Sequence, residues 1–290
     1  MGFDPEFAAS DPEADACRLQ MKNLNHLAHL DQADGGLSPT RWQADTFPSP
    51  WRERIAVAHD GIDTDMLSPD PAAVLTWRAP GTERVHRWTR DDEVITFVAR
   101  HLEPYRGFHV FMRALPDLLR ERPRAQVLIV GDEGAGYGAA APAGCTWRGL
   151  FSNEVRPRIS EEDWARVHFL GRLERQDFTR LLKVSRVHVY LSYPFVLSWS
   201  LIEAMSVGAC IVASDTAPVR EVLTDQEQGR LVNFFDGTNL VLRICELLDD
   251  PMARQRLGAS ARSTARARYD LQTVCLPAQM RWALDLASRR

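Results

Sequence analysis

The chain has 290 residues, 45% hydrophobic and 26% charged, the proportions of a soluble globular protein with room for one large domain or two modest ones. A net charge of -4 offers no bulk positive field for nucleic acid, and no run of about 18 apolar residues marks a transmembrane helix. Five scattered cysteines (Cys17, Cys145, Cys210, Cys245 and Cys275) form no CxxC pair, which argues against a zinc site or a disulfide framework and for a reducing, cytoplasmic setting.

Residues 1–16 are acidic and contain proline, so a loose lead-in is expected, without the basic start and apolar core of a signal peptide. Leu19, Leu24, Leu27 and Leu30 lie near helical spacing and predict a helix over 17–33, stopped by Gly35-Gly36. A short element at Leu37–Thr40 follows, then a strand at Ile55–Ala58 ending in the turn signal of 59–63. Hairpin strands are expected around Val74–Trp77 and Glu83–Trp88. From Val94 the pattern becomes regular. Strands are predicted at 94–99, 125–130, 167–170, 187–192, 209–213 and 229–232. Helices are predicted at 108–121, 174–184, 200–207, 219–223, 238–249, 251–268 and within 270–288, while the Gly/Ala/Pro-rich stretch 131–163 reads as a long loop.

Strand alternating with helix predicts an α/β fold, a parallel sheet with helices on both faces and right-handed crossovers. Ligands of such sheets sit beyond the carboxyl ends of the strands, so the loops there carry the chemistry. Arg100 and Arg106 flank the first. They could grip phosphate oxygens, or sit as surface arginines paired with Glu103. Gly131–Gly138 is glycine-rich but is not GxGxxG. Gly171 and Arg172 open the third, and Ser214-Asp215 with Glu221 follow the fifth strand. The fourth loop, Tyr193–Gly208, enters a helix with Glu203 in its first turn. Free amides at such a helix start can bind phosphate, and a carboxylate nearby can accept ribose hydroxyls. Ser200–Glu203 also fits a capping box, in which Glu203 would serve folding alone.

Taken in order, Val98–Gly107, Val127–Gly131, Val167–Leu173, Leu201–Gly208, Ala213–Asp215 and Glu221 resemble the C-terminal nucleotide-sugar domain of GT-B glycosyltransferases, and within them the retaining family four, also called the glycosyl transferases group 1 family. The resemblance covers about residues 55–270. It implies a Rossmann-like domain over 64–270, a remnant of the N-terminal acceptor domain over 1–63, and a crossover helix over 271–290. It implies that Arg100 and Arg106 hold the donor diphosphate as the catalytic charges, Arg106 standing where a lysine is usual. Glu203 matches the second glutamate of the family's E-x7-E motif, which binds the donor ribose. Ser198, Trp199 and Ser200 match the loop whose amides meet the phosphates, and Gly171 and Arg172 lie where the base is read. The first glutamate of the motif, which contacts the donor hexose, is replaced by Phe195.

The implied reaction moves a sugar from a nucleoside-diphosphate sugar to an unknown acceptor (glycan, lipid or small molecule), with retention and with no cofactor or metal. The short stretch before residue 64 suggests a truncated product or half of a split enzyme, partnered by a separate N-terminal-domain polypeptide. A non-catalytic nucleotide-binding module is the alternative. The expected location is cytoplasmic, with a peripheral membrane role left open.

Overall fold

The structure, a computed structural model, describes residues 12–134 and 136–288. Helix α1 (Pro12–Leu30) leads to β1 (Gly36–Ser38), α2 (Arg41–Asp45) and β2 (Ile55–Val57). β1 and β2 pair in parallel as a small sheet of their own. The helix already starts at Pro12, so the expected lead-in is shorter; residues 1–11 lie outside the described residues. β3 (Val74–Arg78) and β4 (Val85–Thr89) form the expected antiparallel hairpin.

The main sheet alternates strand and helix. Its elements are β5 (Val94–His101), α3 (Phe108–Glu121), β6 (Gln126–Asp132), α4 (Trp147–Val155), α5 (Glu161–Trp164), β7 (Val167–Gly171), α6 (Arg175–Val184), β8 (Val187–Tyr190), α7 (Trp199–Ser206), β9 (Ile211–Ser214), α8 (Ala217–Arg220) and β10 (Arg230–Val232). Then come α9 (Gly237–Asp249), α10 (Pro251–Tyr269) and α11 (Leu276–Ala287). The strand order is β10-β9-β8-β5-β6-β7, parallel throughout.

The unbroken apolar run of β5 follows from burial on both faces. Ile95 and Phe97 join Val127 and Ile129 in one core with Phe108, Phe111 and Leu115 of α3. Val94 joins Leu128 and Val130 in a second core with Leu181 of α6 and Trp88 of the hairpin. Alternate residues thus serve opposite faces, as the pleat requires. Phe97 stacks on Phe111 at 4.8 Å between centroids, and burying such a ring is worth roughly 2–3 kcal/mol.

The stretch 131–163 is not the long loop its composition suggests, because it holds α4 and α5. Thr146 Oγ1 accepts from the Gly149 amide and Ser160 Oγ from the Asp163 amide, so each helix has a capping side chain. Phe151, one helical turn beyond Trp147, packs edge-on against Phe108 and anchors α4 to the core.

His188 lies fully buried in β8, its Nδ1 2.8 Å from Thr96 Oγ1. Burial pushes its pKa from 6.5 down to about 4. Burial does the same to His168 and His109. Between these values the unfolded chain takes up protons that the folded chain refuses. Stability is therefore complete above about pH 6.5 and declines as pH falls towards about 4, by on the order of 3 kcal/mol for His188 alone. Thermal unfolding followed at pH values across that window should show the midpoint falling with acidification. A flat profile would mean that these imidazoles accept protons in the fold.

β5 starts in the middle of the sheet. The chain runs outward through β6 to β7 at one edge, then returns to β8 on the other side of β5. The crevice between the carboxyl ends of β5 and β8 is thus the topological switch point, where this architecture places ligands.

Candidate functional site

Two loops meet at that crevice, 102–107 after β5 and 191–198 after β8. Gly107 makes the meeting possible. Its φ is +68°, and a Cβ there would lie 2.2 Å from Leu191 Cβ. Arg106, beside it, is only 8% exposed. Its Nη1 donates to Ser192 Oγ at 3.1 Å and to the Val196 carbonyl at 3.2 Å. The guanidinium carbon lies 5.1 Å from the Phe195 ring centre, within cation–π range. Phe195 also packs against Tyr137 at 4.9 Å and Tyr105 at 6.2 Å, and Tyr105 stacks on Tyr193 at 4.8 Å. An aromatic patch therefore covers Arg106. Arg100 is exposed, and its Nη1 lies 3.4 Å from the Tyr137 hydroxyl. The structure thus brings Arg100, Arg106 and Phe195 together, with Tyr137 between them.

Glu103 does not pair with either arginine, as the surface-turn alternative supposed. Its buried carboxylate accepts from the amides of Tyr137 (3.2 Å) and Gly138 (2.8 Å). A carboxylate at the end of β5 thereby ties down the glycine-rich loop after β6 and sets Tyr137 over the arginines.

The loop after β8 enters α7 with Ser198 as its N-cap. Ser198 Oγ accepts from the Ser200 amide, and the Ser198 amide donates to the Tyr190 hydroxyl at 3.0 Å. Two of the three expected phosphate-facing amides thus have partners inside the protein. The Trp199 indole donates to Asp60 Oδ2 at 2.9 Å, joining the turn before the hairpin to the mouth of the site.

The capping box is overturned. With the cap at Ser198, Glu203 is the fifth residue of α7, beyond the first turn and too far along to reach back to the cap amide. Its side chain is nearly buried and makes an ion pair with Arg175, the first residue of α6. Gly171, with φ +66°, and Arg172 stand at the end of β7 just before that helix. Glu221, which follows β9, is engaged with the small sheet's helix. Its carboxylate accepts from the amides of Arg41 and Trp42 and caps α2, fastening the small sheet's helix to the main body. α11 reaches the same region, where Gln279 Nε2 donates to the His59 carbonyl at 2.8 Å.

Arg175, Tyr137 and Ser192 were not singled out from the sequence. Ser192 and Ser214 exchange hydrogen bonds of 3.0 Å between the loop after β8 and the end of β9. None of these has a local sequence signal, because each acts on a residue 22 or more positions away. No helix among the described residues is long and apolar enough to cross a membrane.

Residues 82–264 match the family described as glycosyl transferases group 1, and residues 1–67 match the glycosyl transferase family 4 group. A phosphatidyl-myo-inositol mannosyltransferase of Mycolicibacterium smegmatis is 31% identical over 193 residues, 64% of this chain and 44% of that protein. The chain spans about half the length of the curated relatives it matches. Among solved structures, sucrose-phosphate synthase from Thermosynechococcus elongatus superposes with a TM-score of 0.72 at 19% identity, over 98% of this chain and 65% of that one. Anabaena Alr3699/HepE in complex with UDP superposes with a TM-score of 0.66 at 19% identity, over 87% of this chain and 64% of that one. These likenesses share the Rossmann-like arrangement of a parallel sheet between helices.

Proposed function

The chain belongs to the glycosyl transferases group 1 family, and from that premise we propose that it is the donor-binding part of a glycosyltransferase. It would move a sugar from a nucleoside-diphosphate sugar to an acceptor, with retention. The observation that carries this reading is the meeting of two loops at the switch point, where Arg106 donates to Ser192 Oγ and to the Val196 carbonyl in the loop that enters α7, the helix that bears Glu203. In this reading residues 64–270 hold the donor. Residues 12–63 and α11 lie on the acceptor side.

Sugar departure leaves negative charge on the diphosphate. Arg106, held rigid by Ser192 and Val196, is pre-oriented to meet it. Arg100, exposed beside it, would add a second positive charge, and the amide of Trp199 would add a donor at the positive end of α7. Glu203 would accept the ribose hydroxyls, and Gly171 with Arg172 would lie against the base. Phe195 and its aromatic neighbours would lie beside the hexose. This charge arrangement needs no metal or cofactor. The acceptor, a glycan, a lipid or a small molecule, would enter from the face towards α2 and Trp199.

A non-catalytic nucleotide-binding module is the second reading, favoured by the aromatic patch that Phe195 lays over Arg106. Calorimetric titration with UDP and GDP, followed by assays of transfer and hydrolysis from UDP- and GDP-sugars, separates the two. Binding of one nucleotide with turnover is the expected result. Binding without turnover supports the second reading, and a chain that binds neither nucleotide removes both.

A further inference from the structure

We propose that Arg175 is a positioning residue, holding Glu203 in the orientation that meets the nucleotide's ribose hydroxyls; this rests on the donor-site reading of Glu203 given above. Three observations carry it. Glu203 is 5% exposed, and a carboxylate so buried needs a cation or several donors. Among the described residues its side chain has one recorded partner, Arg175, which takes Oε1 through Nη1 and leaves Oε2 to a ligand.

The second observation is where Arg175 stands. It is the first residue of α6, where a cation opposes the helix dipole. The nearby acid, Asp177, does not compensate it, because Asp177 pairs with Arg180 at 2.9 Å. Its recorded compensation comes from α7 instead. The guanidinium carbon also lies 5.9 Å from the ring centre of Phe178, one turn along its own helix.

The third is what the pair connects. Phe178 and Leu182 of α6 share one apolar cluster with Leu201 and Ile202 of α7. Arg175 follows Gly171 and Arg172 by only a few residues, so it ties the loop placed against the base to the carboxylate placed against the ribose. Its side chain, 53% exposed, also lines a 760 Å³ cleft with Asp70, Thr76 and Thr179. One face of the arginine is therefore solvated and the other is committed to Glu203.

A residue that aims Glu203 affects the recognition of hydroxyls and leaves phosphate contacts alone. The test is titration of the full chain with UDP and GDP and with their 2′,3′-dideoxy counterparts, in wild type, Arg175→Ala and Arg175→Lys. Wild type should prefer the ribonucleotide. Arg175→Ala should lose that preference about tenfold while binding the dideoxy nucleotide as wild type does, and Arg175→Lys should restore part of it. If Arg175→Ala keeps the full preference, the proposal falls and the donor-site reading stands. Equal binding of both nucleotides by wild type removes the hydroxyl-reading role of Glu203, and this proposal with it. A uniform loss for both nucleotides in Arg175→Ala also overturns it, since a structural role alone would produce that.

Discussion

Glu203→Gln is expected to weaken UDP or GDP binding by about tenfold or more while moving the unfolding midpoint little. Hydrogen bonds to a charged acceptor contribute about 1.5–3 kcal/mol each, and about 1.4 kcal/mol is a factor of ten in affinity. Glutamine keeps the size of the side chain, so no cavity opens in the packed face of α7. Arg175 loses its ionic partner, but half of its side chain is already solvated, so the stability cost is about 1 kcal/mol. The geometry of the cap makes the experiment clean. Ser198, not Glu203, closes the start of α7, so a loss of affinity cannot be read as fraying of that helix. Isothermal titration on wild type and variant decides the matter. A variant that binds both nucleotides as tightly as wild type would leave Glu203 as no more than the partner of Arg175.

The fold was legible where the signal was local and repeated. The apolar runs of β5 and β6 and the helical pattern of 108–121 needed only periodicity, and α3 spans those residues. Legibility failed at α4 and α5, where a Gly/Ala/Pro-rich composition hid two cap residues, Thr146 and Ser160, ahead of short helices. The strand order was not legible at all from local pattern, because nothing in β8 says that it pairs with β5 rather than β7.

The site shows the same division. The loops that carry Arg100, Arg106 and Glu203 could be found because each follows an apolar strand. The partners of those residues could not. Glu103 holds an amide 34 residues away, and Arg175 reaches across 28 residues to Glu203. Such distances are set by the sheet and leave no mark on neighbouring positions. The capping box at Ser200–Glu203 is the instructive error. The motif fits the sequence, but the helix begins two residues earlier than that motif requires, with its cap at Ser198, and the shift moves Glu203 out of capping reach and into a buried ion pair with Arg175.

Gly107→Ala should be strongly destabilising, because its added Cβ makes the closest approach of any among the described glycines. The residue sits at φ +68°, where an L side chain costs roughly 1–2 kcal/mol. The added Cβ would also come within 2.2 Å of Leu191 Cβ, so the backbone of one loop must move. Forcing such a contact costs a further ~1–3 kcal/mol. The sum, about 2–5 kcal/mol, is a large fraction of the roughly 5–15 kcal/mol that holds a domain together. At this chain length it lowers the melting temperature by about 10 °C. The clash has a specific signature. Because the nearest atom is the Cβ of Leu191 itself, Leu191→Ala leaves that contact in place, and only Leu191→Gly removes it. A double-mutant cycle should therefore show coupling between Gly107→Ala and Leu191→Gly beyond any coupling with Leu191→Ala. Nucleotide affinity should fall with stability, since the loop that moves carries Arg106 and faces Ser192 across the switch point. Thermal unfolding of Gly107→Ala within a degree or two of wild type would show that the loops after β5 and β8 can part without cost, and that the crevice does not hold Arg106 in place.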